Sequence, residues 1–193
     1  MSDYFTSHDD ILENKLGISD PNVLKQLEEE IVPFRTAEIF SSFHVNAFDF
    51  ECLKEIHRRL FSDLYEFAGK VRVVDMKRGD NTVPFCYVQF IASEQARIFD
   101  TLSQEHEFIG LEREVFIKKL VWLASELNAL HPFRDGNGRA IRCFLVLLAA
   151  KAGYELDYSR VTKEELIEAD IRAFCGEVEG LEKVYTRLIL DQC

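Results

Sequence analysis

Apolar residues recur three and four positions apart through most of the chain, the spacing of amphipathic helices. The clearest stripe, Phe116, Leu120, Leu123, Leu127 and Leu130, predicts a helix over 112–130. Phe48, Cys52, Ile56, Leu60 and Leu64 predict another over 48–64. A third, over 91–106, carries Ile91, Ile98, Phe99 and Leu102, with Gln95 interrupting its stripe. Ser19-Asp20-Pro21 supplies a capping residue and then Pro in a first turn. It leads into Val23, Leu24, Leu27, Ile31 and Phe34, where Pro33 is a candidate break into two pieces. Later helices are expected over 138–152, closed by Gly153, over 162–173, opened by a Thr162–Glu165 capping box, and over 179–191.

The middle of the chain departs from this period. Lys70-Val-Arg-Val-Val-Asp75 is β-branched and reads as a strand, residues 78–81 as a turn, and residues 82–88 as a second extended piece. A lone hairpin is marginal without packing partners, so it is either a flap over a site or a simple connection. No linker, repeat or low-complexity segment interrupts the chain, and one domain over 1–193 is expected.

Composition narrows the class. A hydrophobic content of 47% with sixteen Phe excludes a disordered chain. No apolar run approaches the ~20 residues of a membrane span, and the first fifteen residues are polar and acidic, without a signal peptide's apolar region. A cytoplasmic protein is expected. The formal net charge of −11 argues against direct binding to nucleic acid or an anionic membrane, and is compatible with a small-molecule site or a protein partner. The five cysteines form no CxxC pair and no zinc-like spacing, so reduced, mostly buried thiols are expected.

The densest chemistry lies in His131-Pro-Phe-Arg-Asp-Gly-Asn-Gly-Arg139-Ala-Ile-Arg142, a loop feeding the start of a helix. Such a start offers unpaired backbone N–H groups and partial positive charge. Gly136 and Gly138 let those groups curl around an oxyanion. Arg139 and Arg142, three apart, share a helix face and suit a polyphosphate. Asp135 is a hard oxygen ligand of the kind Mg²⁺ uses beside phosphate oxygens. Asn137 can bond a phosphate oxygen or hold the loop, and Phe133 is an apolar anchor. His131 can accept a proton from an attacking hydroxyl near neutral pH. The remaining histidines, His8, His44, His57 and His106, lack such a context and read as surface or packing residues.

This stretch resembles the core motif of the Fic family, H-x-F-x-[DE]-G-N-G-R-x-x-R, at every fixed position. Leu64-Tyr-Glu-Phe-Ala-Gly-Lys-Val-Arg72 resembles the segment before that family's flap, Thr82-Val-Pro-Phe85 the flap, and Leu127-Asn-Ala-Leu-His131 the entering helix. The resemblance covers about 45–190. It implies a mainly α fold, a bundle of about eight helices with a small β-hairpin flap over the active site, with N-terminal helices over 10–42 packed on it. It also implies transfer of AMP from Mg-ATP to a target protein's hydroxyl, with release of pyrophosphate. His131 would be the general base and Asp135 the Mg²⁺ ligand. Arg134, Gly136, Asn137 and Gly138 would contact the nucleotide, and Arg139 and Arg142 would clamp the outer phosphates. The flap, Thr82, Val83, Pro84, Phe85 and Cys86, would align the target by strand-like pairing, with Pro84 lacking an N–H. A kinase-like branch carries Lys where this chain has Gly138. UMP or phosphocholine transfer, and a catalytically silent nucleotide-binding module, are the alternatives.

Many relatives are inhibited by the glutamate of [ST]-x-x-x-E-[GN], which pairs with the second motif arginine, here Arg142. This chain has no intact copy, only Asp9-x-x-x-Glu13-Asn14 and Cys175-x-x-x-Glu179-Gly180, each with the wrong first residue. Glu13 reads as a solvated helix residue and Glu179 as part of the last helix start. The lack of an intact copy resembles the toxin branch restrained by a small separate antitoxin. That branch is associated with modification of the ATPase subunits of DNA gyrase and topoisomerase IV, which become candidate partners.

Overall fold

The computed structural model describes residues 11–77 and 84–191. Among them lie seven α-helices: α1 (Pro21–Ser42), α2 (Phe50–Phe61), α3 (Val88–Gln104), α4 (Arg113–Leu130), α5 (Asn137–Ala152), α6 (Lys163–Phe174) and α7 (Glu179–Leu188). Short 3₁₀ turns cover His106–Phe108 and Tyr158–Arg160, and two short strands, β1 (Tyr154–Leu156) and β2 (Ile189–Asp191), pair antiparallel. α4 and α5 are apolar over most of their circumference and therefore sit at the centre. α2 lies along α5 with α1 outside it, while α3, α6 and α7 pack on α4. One continuous core results, in which Leu53, Ile56, Leu60, Phe116, Leu127, Phe133, Phe144 and Leu148 are fully enclosed.

Local signals account for most boundaries. The Asp20 side chain caps α1 by accepting from Asn22 and Val23 N–H, Asp49 caps α2, and Thr162 with Glu165 closes the capping box of α6. Gly153 ends α5 at φ 90°. Pro33 does not divide α1, and the expected helices over 10–42 are one helix preceded by irregular chain. Pro33 faces solvent, while Leu24, Val32 and Ile39 bind the helix to the core on both sides of it. The last predicted helix stops at Leu188, because buried Ile189 turns to pair with Leu156 and the Arg113 guanidinium takes the carbonyls of Thr186 and Ile189.

The predicted strand over 70–75 does not form. Its backbone binds the loop after α4 instead: the Arg72 N–H donates to Pro132 O at 2.9 Å. Arg72 is 1% exposed, and its guanidinium donates to the carbonyls of His131 at 2.7 Å, Val74 at 2.7 Å and Cys86. Among the described residues the two arms meet in one antiparallel bridge, Lys77 to Pro84. The second arm gives way at Val88 to α3. Cys52 and Cys143 are buried thiols, with Cys86 half-buried and Cys175 exposed. Burial pushes the Cys52 thiol up to about 12 and the Cys143 thiol to about 11, so both stay protonated. No described helix is long and apolar enough to cross a membrane.

Replacing Arg72 with Met keeps the apolar stem but leaves buried carbonyls unpaired. Chemical denaturation should show a loss of about 3 kcal/mol, and amide exchange at Cys86 should accelerate.

Candidate active site

The site forms where α4 ends and α5 begins. His131 is the C-cap of α4, in the left-handed region at φ 44° and ψ 59°, with its N–H on Leu127 O. A non-glycine residue there costs roughly 1–2 kcal/mol, so the surroundings must hold it. They do so at the carbonyl, which accepts from buried Arg72, and at the ring, which stacks on Phe85 with centroids 3.7 Å apart. Phe85 also meets Phe174 edge-on, so the imidazole lies against an aromatic wall at the base of the flap.

The loop is closed from inside by Asn137. Its side chain accepts from Phe133 N–H at 2.9 Å and donates to Phe133 O at 2.8 Å, and the residue is 2% exposed. Of the two roles open to that side chain, it therefore holds the loop. Phe133 is fully buried and stacks on His57 at 3.9 Å. Gly136 sits at φ 75° as the N-cap of α5, and a Cβ there would lie 2.4 Å from the Phe61 ring. Both conditions require glycine. A Cβ at Gly138 would press on Arg142 Nη1 at 3.3 Å. The first N–H groups of α5 thus stand beside a loop whose Phe133 and Asn137 side chains are turned inward.

His57 was not legible as a site residue. It is fully buried beneath the loop; its Nδ1 accepts from Gly69 N–H at 2.8 Å, which leaves Nε2 as the donor to Asp135 O at 2.8 Å. The imidazole thereby ties the backbone of the acidic residue to the turn at Gly69. Of the other histidines, His44 and His106 are exposed and His8 lies outside the described residues.

The charged groups divide into two. Arg139 donates from Nη1 to Glu28 of α1 at 2.5 Å and from Nη2 to Asp135 Oδ2 at 3.3 Å, and lies 4.5 Å over the Phe61 ring. Arg142 has no ion pair among the described residues and lines, with Arg139, Lys25, Lys163 and Thr36, a cleft of about 750 Å³ between α1 and α5. That volume is nucleotide-sized, with Glu28 and Glu29 sharing the lining and His131 and Asp135 outside it. Arg134 is half-buried in the loop. The Asp135 carboxylate is 46% exposed. Among the described residues no group of three His, Cys, Asp or Glu could hold a metal. A single open carboxylate fits Mg²⁺, which takes few protein ligands and completes its shell with water and phosphate oxygens.

The flap is partly visible. Thr82 and Val83 lie outside the described residues. Phe85 N–H is bonded to Met76 O and Cys86 N–H to Ala129 O, while Pro84 has none. The N–H groups of Phe85 and Cys86 are thus engaged within the chain. Glu13 is exposed in irregular chain rather than helix, and its companion Asp9 lies outside the described residues. Glu179 is exposed at the first position of α7, and neither glutamate lines the Arg142 cleft.

The sequence profile of the Fic/DOC family matches residues 47–149. The chain is 36% identical over 180 residues to "Probable protein adenylyltransferase y4lH" of Sinorhizobium fredii, covering 93% of this chain and 91% of that one. It is 33% identical over 182 residues to "Probable protein adenylyltransferase Fic" of Escherichia coli, covering 94% of this chain and 89% of that one. A crystal structure of BepC from Bartonella tribocorum with bound AMPPNP superposes with a TM-score of 0.94 at 28% identity, over 98% of this chain and 97% of that one.

Two outcomes follow for the loop. Burial, opposed in part by the bond to Asp135 O, pushes His57 down from 6.5 to about 4. The unfolded chain takes up this proton and the folded chain does not. The stability His57 contributes is therefore present above about pH 6.5 and lost as the pH falls toward about 4, by about 3 kcal/mol at most. Denaturation midpoints across this window should show the decline, and His57→Gln should flatten it. Gly136→Ala should lose nucleotide binding and unfold at lower temperature, because the ring of Phe61 must move.

Proposed function

This chain belongs to the Fic/DOC family, and we propose that it transfers AMP from Mg-ATP to a hydroxyl side chain of a target protein, with release of pyrophosphate. The observation that carries this reading is the placement of His131 on the loop that leads into the start of α5, with Arg142, which has no ion pair among the described residues, on the same helix. The target hydroxyl oxygen attacks the α-phosphorus, its proton passes to a ring nitrogen of His131, and the bond from the α-phosphorus to the bridging oxygen breaks. The N–H groups at the start of α5 receive charge on the phosphate oxygens, and Arg142 meets the departing pyrophosphate. Asp135 would hold Mg²⁺, which when bound neutralises phosphate charge.

Two further features of the reading concern control. The chain lacks an intact inhibitory sequence, and Arg142 has no carboxylate partner among the described residues. Both support a toxin whose restraining glutamate arrives on a small antitoxin. The ATPase subunits of DNA gyrase and topoisomerase IV are the first acceptors to test.

Incubation of the protein with α-labelled ATP, Mg²⁺ and a bacterial lysate should label a discrete protein. His131→Ala should reduce labelling by about 10²-fold or more while retaining nucleotide binding. Nucleotide binding without labelling by the wild type would favour a silent module. Expression alone should arrest growth, and co-expression of a neighbouring small open reading frame should relieve the arrest.

A further inference from the structure

Glu28 lies on α1, outside residues 47–149, and is 111 residues from Arg139 in sequence, yet its carboxylate is 15% exposed and bound to that arginine. Its other oxygen accepts from the Tyr65 hydroxyl. Tyr65 is 2% exposed, and burial followed by the hydrogen bond to Glu28 pushes its hydroxyl well up, so it remains a donor. Arg139 is thus gripped at Nη1 by Glu28 and on one face by Phe61, leaving Nη2 at 3.3 Å from Asp135.

We propose that Glu28 is a positioning residue of the nucleotide site, which limits Arg139 to a single 3.3 Å hydrogen bond with Asp135 and so leaves the rest of that carboxylate open toward the metal–phosphate group. The inference rests on the nucleotide reading above. Asp135 and Arg139 stand four apart on the chain and in reach of each other. Released from Glu28, the guanidinium can close on Asp135 as a two-pronged pair, the strongest geometry available to it. Both oxygens of the loop's exposed carboxylate would then be spent on that internal ion pair. Tyr65 fixes the far side of Glu28, so α1 and the turn after α2 act together on a group in α5.

Calorimetric titration of the intact protein with a non-hydrolysable ATP analogue, with and without Mg²⁺, tests this. Glu28→Ala should weaken binding about 10-fold in Mg²⁺ and leave binding in EDTA unchanged. Glu28→Gln, which can still accept from Arg139, should stay close to wild type. Glu28→Ala/Arg139→Ala should bind no more weakly than Arg139→Ala alone. Equal loss with and without Mg²⁺, tighter binding by Glu28→Ala, or independent losses in the double variant would overturn the proposal. Wild-type protein that binds no nucleotide overturns the nucleotide reading and this inference with it. Wild-type binding with a silent Glu28→Ala overturns this inference alone.

Discussion

The loop between α4 and α5 must turn the chain sharply inside a helical core, and its backbone carbonyls have to be satisfied there without water. Two buried side-chain donors, one cationic and one neutral, do this from opposite sides. The Arg72 guanidinium takes the carbonyl of His131, and the His57 imidazole takes that of Asp135. Asn137 joins the ends between them. With its carbonyls committed inward, the loop presents outward what remains: the His131 ring, the Asp135 carboxylate and the N–H groups of the first turn of α5. The exposed chemistry is a consequence of how the buried polar groups are paired.

That pairing also fixes the neighbours. Arg72 carries the base of the flap with it through Cys86 O and Val74 O, so the wall of Phe85 against His131 is set by the same residue that holds His131 in its left-handed conformation. His57 brings Gly69 to the loop and seats Phe133. On the far side, Phe61 occupies the space that a side chain at position 136 would need, and its ring lies beneath Arg139. α2 therefore builds the floor of the site, although it contributes no group to the reaction.

Helical periodicity made most of the elements legible, because α2, α4 and α6 carry their buried residues at regular spacing, with side-chain caps at the starts of α2 and α6. The motif was legible because its chemistry is contiguous in sequence. The strand over 70–75 was misread for a physical reason: Val71, Val73 and Val74 favour extended chain, but the partner of that chain is a loop rather than a second strand. His57 and Glu28 were illegible because their meaning lies in partners 78 and 111 residues away. A histidine on an apolar helix face and a glutamate on a polar one look ordinary until the fold closes. Pro33 was overread, since a proline facing solvent removes one hydrogen bond without opposing the burial on either side.

The central claim is that His131 and the start of α5 form a site for AMP transfer to a protein hydroxyl. Mass spectrometry of the acceptor after incubation with wild-type protein, ATP and Mg²⁺ tests it most directly. The account predicts one added AMP on a Ser, Thr or Tyr side chain, absent with His131→Ala. An added phosphate, UMP or phosphocholine, or AMP that persists in the variant, would contradict it.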